Sequence, residues 1–278
     1  MIERLPPGLH IVATPIGNLG DLSARAADTL RSADQILAED TRVTGKLLAH
    51  IGATTPMSRY DDHTGEKERD RIVARLAKEA VALVSDAGTP LISDPGYKLV
   101  RAARAAGHQV RIVPGPCAAI AGLAVAGLPT DRFLFLGFLP AKAKARADAI
   151  AEIAAVRATL IMYESGQRLS DTLLALAGRL GPREAAVARE LTKMHEECVT
   201  GTLPELAERY ASAVPKGELV VIVGPPLEAD AVSEAEIDSL LQDAMVNLSP
   251  SRAAAEVAER LNIPRKRAYA RALDLSRK

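Results

Sequence analysis

The sequence is short of several features that would point to particular kinds of protein. It has no net charge, with 35 basic side chains against 35 acidic ones and a pI near 7.0. That excludes the simplest polyanion binder, because a protein that holds nucleic acid by bulk attraction shows a basic excess. Any RNA contact must come from a local patch. Cysteine is nearly absent: Cys117 and Cys198 lie 81 positions apart, which makes neither a disulfide framework nor a zinc-ligand spacing. His10, His50, His63, His108 and His195 do not cluster either, so no metal site is expected. Apolar runs are short. Leu219 to Val223 is closed by Gly224 and two prolines, far below the roughly 20 residues that span a bilayer. The stretch from Met1 to Pro7 enters a strand pattern with no basic segment and apolar signal core, so the expected location is cytoplasmic.

What is present is a globular composition, 48% hydrophobic and 25% charged over 278 residues, enough for roughly two domains. From Leu9 to Pro129, short β-prone runs alternate with helical ones. Leu9 to Ala13, Gln35 to Ala38, Val81 to Ser85 and Gln109 to Val113 read as buried strands. Leu22 to Arg31, Thr44 to Ile51, Glu66 to Lys78 and Tyr97 to Ala106 carry apolar residues at helical spacing. Such alternation predicts an α/β layer with a largely parallel sheet. All three phenylalanines fall between Arg132 and Phe138, where a second core begins. A helix (143–155), a strand (159–163), a helix (169–180) and strands at 185–189 and 218–223 follow. The expected division is an α/β domain over 1–130, a second over 131–226, and a small helical unit over 232–278.

In that last unit Ser233 to Val246 reads as a helix. Ser249 caps a second helix with Pro250 at its first position, and Ile263-Pro264 opens a third. The pattern resembles a helix-turn-helix. Residues 228–259 hold eight acids and one arginine, whereas residues 260–278 hold five arginines, two lysines and only Asp274. Arg265, Lys266, Arg267 and Arg271 are therefore the candidate phosphate contacts, giving affinity and position rather than base readout. The alternative is a merely solvated basic face.

Three segments at strand ends carry the chemistry. The turn Ala13 to Asp21 contains glycine but is not a dinucleotide fingerprint, and Asp21-Leu22-Ser23, Asp21 in particular, reads as a cap for the following helix. Ser85 to Gly96 is too long and too rich in turn residues to be mere connection, with Asp86 and Asp94 as acceptors. Pro114 to Gly122 opens a helix with small residues, a surface against which a flat ligand can lie. Cys117 there reads as a packing residue, since no histidine or second cysteine has a spacing that would activate it.

In this order, Ala13-Thr14-Pro15-Ile16-Gly17-Asn18-Leu19, Ala38-Glu39-Asp40-Thr41-Arg42, Ser85 to Gly96 and Pro114-Gly115-Pro116-Cys117-Ala118-Ala119 resemble the ribosomal RNA small-subunit methyltransferase I family of the tetrapyrrole-methylase superfamily. The likeness continues through Gly127-Leu128-Pro129, Gly137 to Pro140, Tyr163-Glu164-Ser165 and Ala188 to Lys193, and covers residues 8–224. The helix-turn-helix resembles the family's extra domain. The resemblance implies two α/β domains with a cofactor cleft between them, S-adenosyl-L-methionine as donor, and a homodimer. It further implies 2′-O-methylation of a cytidine ribose in the decoding region of 16S rRNA, in the small ribosomal subunit. By position it points to Pro15, Asp86, Ala87, Gly88, Thr89, Pro116, Cys117 and Ala118 around the cofactor, with Tyr163 and Arg189 from the second domain.

A ribose hydroxyl is a weak nucleophile, and a base must take its proton. The candidates are the clusters Glu39-Asp40-Thr41-Arg42 and Arg189-Glu190-Leu191-Thr192-Lys193. The expectation is that Glu190 or Asp40 accepts the proton while Arg42, Arg189 or Lys193 holds a flanking phosphate. The competing expectation is that Asp40 or Thr41 caps a helix and Glu190 pairs with Lys193. Two other functions stay open at this stage. A tetrapyrrole C-methyltransferase is one, although Thr14-Pro15-Ile16-Gly17-Asn18 departs from the Gly-x-Gly-x-Gly-Asp loop of those enzymes. A ribosome-assembly factor without turnover is the other.

Overall fold

The computed structural model describes residues 5–61, 63–212, 214–226, 234–261 and 263–276. Met1 to Arg4, Glu228, Asp230, Ser233, Asn262, Arg277 and Lys278, all used in the sequence reading, lie outside these residues. The chain divides into two compact units, Met1–Pro225 and Pro226–Lys278.

In the first unit, strands β1 (Gly8–Val12), β2 (Gln35–Ala38), β3 (Met57–Arg59), β4 (Ala80–Val84) and β5 (Val110–Val113) form a parallel sheet in the order β3-β2-β4-β1-β5. Helices α1 (Ala24–Ser32), α2 (Thr41–His50), α3 (Glu66–Arg75), α4 (Tyr97–Ala105) and α5 (Ala118–Val125) connect or follow the strands. Alternate residues of a strand point to opposite faces, so a sheet covered on both sides needs apolar residues throughout. In β4, Ala82 and Val84 enter one core beside Leu30 and Leu48, while Val81 and Leu83 enter another beside Leu76 and Leu99. The cap of α1 is Ser23, whose hydroxyl accepts the Ala26 N–H. Asp21, expected in that role, sits one turn earlier.

The second sheet runs in the order β6-β7-β10-β8-β9, from β6 (Phe133–Phe138), β7 (Thr159–Ser165), β8 (Glu184–Arg189), β9 (Glu197–Thr202) and β10 (Glu218–Val223). Only β6 and β7 are parallel among its described pairings. Its one face packs on α6 (Ala143–Ile153), α7 (Gly166–Leu180) and α8 (Leu203–Ala211) through Leu160, Met162, Val187 and Val221. Its other face packs Ile161, Ala188, Val220 and Ile222 against Ala119 and Leu123 of α5. The two sheets thus share a core, which is why they fall in one compact unit. Strand β9 and helix α8 are not among the sequence expectations, because β9 is a polar edge strand. The capping box of Thr202 and Glu205 is nonetheless a readable start signal for α8.

In the second unit, α9 (Glu234–Met245), α10 (Pro250–Leu261) and α11 (Arg265–Ser276) close on Ile237, Leu241, Ala254, Val257, Ala268 and Ala272. Arg265 and Lys266 are exposed at the start of α11, where helix N–H groups also favour anions. Arg265 donates to the Ser251 hydroxyl at 3.3 Å. Arg271, expected among the phosphate contacts, is turned inward: its guanidinium pairs with Asp238 and, at 3.1 Å, with Glu234, tying α11 to α9. We expect Arg271→Ala to lower the melting temperature of the chain or add an early transition. Calorimetric scans of the two proteins would check this.

Candidate active site

The loops after β1 and β4 meet at the carboxyl ends of their strands, where connections diverge to opposite sides of the sheet. Thr14 and Gly88 join them by a reciprocal pair of backbone hydrogen bonds of 2.9 and 3.1 Å. Gly88 has φ +81°, a conformation that side chains disfavour, and a Cβ there would lie 3.2 Å from Ile16. The loop after β5 is fixed to this pair, since the Thr89 hydroxyl donates to the Pro116 carbonyl at 2.9 Å.

Between these loops and the second sheet lies a cleft of about 450 Å³. Asp86, Ala87, Gly88, Thr89, Cys117, Ala118 and Tyr163 of the sequence reading line it, together with Ile16, Glu39, Ile92, Asp94, Phe138, Leu191, Gly217 and Glu218. Tyr163 spans the two sheets, because its hydroxyl accepts the Ala119 N–H at the start of α5 at 3.2 Å. Burial and the neighbouring Cys117 hold that phenol well above its ordinary pKa, so it stays neutral. Pro116 takes part through its carbonyl. Pro15 precedes the lining residue Ile16 without being one of the lining residues itself. Arg189 is drawn away, because its guanidinium pairs with Glu197 on β9 at 3.2 Å.

The electrostatics of the cleft are one-sided. Burial, then Asp86, Asp94 and Asp61, push the Glu39 carboxyl above its ordinary value, against a backbone hydrogen bond from Asp86. Burial and Asp86 likewise raise Asp94, opposed by the Ser85 hydroxyl. No lysine or arginine is among the described lining residues. Such a site favours a cation.

The expected proton acceptors lie elsewhere. Asp40 caps α2, accepting the Arg42 N–H at 2.8 Å, and its carboxylate pairs with the Arg42 guanidinium at 2.6 Å. These bonds hold its pKa far below the usual carboxylate range. Glu190, at φ +49°, pairs with Lys193 at 3.0 Å and accepts the Glu218 N–H, and the Lys193 bond lowers it as well. Lys193 also reaches Glu218 at 3.0 Å, and its stem lies over Gly17, where a Cβ would come within 2.4 Å of it. Asp40, Arg42, Glu190 and Lys193 therefore brace the surroundings of the cleft without lining it, and the competing expectation, a cap and an ion pair, describes them. Glu39, next to Asp40 in sequence, is the residue of that cluster that enters the cleft.

A family model for tetrapyrrole (corrin/porphyrin) methylases matches residues 8–207, and one for the RsmI C-terminal HTH domain matches residues 231–276. The chain is 55% identical over 273 residues to a ribosomal RNA small subunit methyltransferase I of Erythrobacter litoralis, covering 98% of this chain and 97% of that one. The chain belongs to the ribosomal RNA small subunit methyltransferase I family. The relative of the same designation from Xylella fastidiosa (strain Temecula1) is 51% identical, over 95% of this chain and 98% of its own. Among solved structures, uroporphyrin-III-C-methyltransferase from Thermus thermophilus superposes with a TM-score of 0.55 at 22% identity, covering 78% of this chain and 93% of that one, a likeness of fold. The family's methyl donor is S-adenosylmethionine, and the cleft suits it. The molecule combines a cationic sulfonium with a flat adenine and a ribose diol. The cleft opposes a carboxylate-lined wall to it.

Proposed function

We propose that this chain transfers the methyl group of S-adenosylmethionine to the 2′-hydroxyl of a cytidine ribose in the decoding region of 16S rRNA, acting on the small ribosomal subunit. The carrying observation is the cleft with carboxylates and no lysine or arginine among its described lining residues, in a chain whose relatives are designated small-subunit rRNA methyltransferases. S-adenosylmethionine supplies an electrophilic methyl carbon. In the transfer the sulfur–methyl bond breaks as the oxygen–methyl bond forms, leaving a neutral thioether, while the hydroxyl proton passes to a carboxylate. Glu39 takes that proton, because its raised pKa makes it a better acceptor than Asp40 or Glu190. Asp86 pairs with the ribose diol or the sulfonium, and the largely apolar walls around Ile16, Leu191 and Val220 keep water from the charges as they cancel. Most of the acceleration is alignment.

Arg265 and Lys266 of the C-terminal unit contact rRNA phosphates. The enzyme works as a homodimer in the cytoplasm.

Cofactor affinity is expected to rise several-fold as pH climbs above the ordinary carboxylate values of 4.5 and 3.8 and the raised groups Glu39 and Asp94 ionise, then to level off. The sign follows from linkage: a cation binds the ionised site more tightly and so draws both pKa values back down. In the free chain the same two groups favour folding least once ionised, so they oppose stability as pH rises through that range. Isothermal calorimetry across about pH 4.5 to 7.5 would check this, and a flat profile would remove the carboxylates from the cofactor site.

The function itself is tested by incubating the protein with labelled S-adenosylmethionine and either small subunits lacking the modification or naked 16S rRNA, then mapping the label. Label on one ribose of the decoding region is expected, with subunits preferred. Cofactor binding without label on either substrate would overturn the proposal.

A further inference from the structure

The one irregularity in the described register of the second sheet faces the cleft. Phe133, Leu134 and Phe135 of β6 pair in step with Thr159, Leu160 and Ile161 of β7, but the next pair is Phe138 with Tyr163. Leu136 and Gly137 thus stand against the single residue Met162, the two-against-one count of a β-bulge. Gly137 has φ +63°, and a Cβ there would lie 3.0 Å from the Ser93 hydroxyl of the loop after β4. Without the extra residue, Phe138 would point with Leu134 and Leu136 into the helix-covered core. With it, Phe138 joins Phe135 on the opposite face, and both pack edge-on against Tyr163, with ring centroids 5.6 and 5.0 Å away.

The two rings differ in exposure. Phe135 is part of the core between the sheets, whereas Phe138 is 57% exposed and lines the cleft beside Ile92, itself 38% exposed. A bulge that turns a large apolar ring out of a core and into a cleft costs burial, and this cost calls for an occupant. We propose that Phe138 is the platform on which the base of the target nucleotide stacks. The inference rests on the rRNA reading above and adds the group that positions the substrate. Reaching a ribose at the bottom of a cleft requires its base to be splayed from its neighbours, and an aromatic face replaces the stacking that the base gives up. Contact with Tyr163, whose hydroxyl is anchored at α5, sets the place of the ring, and more than half of its surface stays open at 57% exposure.

The flat adenine of the cofactor is the other ring that could stack there, and the test separates the two. Wild type, Phe138→Leu and Phe138→Tyr would be compared for methyl transfer to small subunits lacking the modification, with the dissociation constant for S-adenosylmethionine measured on the same preparations. Stacking contributes about 1–3 kcal/mol per base, a factor of roughly 5 to 150. Phe138→Leu is therefore expected to lower kcat/KM for subunits by about that factor, mainly through KM, with cofactor affinity within about twofold. Phe138→Tyr, which keeps the aromatic face, is expected to retain most of the wild-type rate, an outcome that a merely structural role would not require. Wild-type kcat/KM in the leucine variant overturns the proposal, as does a loss matched by weaker cofactor binding, which assigns the ring to adenine. A wild-type protein that labels no subunit overturns the rRNA reading itself, and the two failures are thus distinct.

Discussion

Replacing Gly166 by alanine is expected to lower the stability of the chain by at least about 3 kcal/mol, because the added carbon has nowhere to go. A Cβ at this position would lie 1.8 Å from the Pro215 carbonyl oxygen. The obstacle is backbone rather than the end of a flexible side chain, so either the start of α7 or the segment at Pro215 must retreat. That segment leads into Gly217 and Glu218, which line the cleft, and Gly166 itself follows the lining residue Ser165. At about 2–4 °C per kcal/mol for a chain of this size, the melting temperature should fall by about 6–12 °C. Methyl transfer should fall with it even below the melting transition. A melting temperature within about 2 °C of wild type would mean that the two segments separate easily.

Asp86→Ala is expected to weaken S-adenosylmethionine binding by roughly 10- to 100-fold, the range for losing a hydrogen bond to a charged group. Asp86 has two tasks, and a second variant separates them. One oxygen accepts the Asp40 N–H at 3.0 Å, which fixes the end of β2 and hence the place of Glu39. The carboxylate also contributes negative charge to the wall of the cleft and is proposed to hold the cofactor. Asp86→Asn keeps an oxygen for the Asp40 N–H and removes the charge. If the charge matters most, the asparagine variant resembles the alanine one in calorimetry. If the link to β2 matters most, the asparagine variant resembles wild type in affinity, while the alanine variant also lowers transfer at saturating cofactor. Both variants at wild-type affinity would remove Asp86 from the cofactor site.

The two residues differ in how far the sequence announces them. Asp86 stands at the end of a buried apolar run and opens a segment dense in glycine, proline and aspartate, so its local pattern marks it as a site residue. Gly166 has no such mark: it follows a strand and begins a helix, and only the chain at Pro215, 49 positions further on, makes a side chain impossible there. Glu39 and Asp40 make the same point within one cluster. Both are acids at a strand end, and the sequence pattern favours Asp40 as the proton acceptor. The backbone turns Asp40 into a helix cap held by Arg42 and leaves Glu39 among other carboxylates, so their proton affinities move in opposite directions. Arg189 and Arg271 are likewise legible as basic groups near ligand-binding segments. Their acidic partners, Glu197 and Asp238, lie on elements whose approach no local pattern records.

The sequence by itself determined the alternation of strands and helices, the covered parallel sheet, the three helices of the terminal unit and the loops of the cleft. These follow from hydrophobic period, turn residues and motif spacing, all of them properties of neighbours along the chain. Only the tertiary structure decided which acids hold their protons more tightly and which cations are already paired, because desolvation and Coulomb interactions depend on distance in space. It also decided where Phe138 points, since one inserted residue in a strand exchanges its two faces without altering composition or period enough to be read.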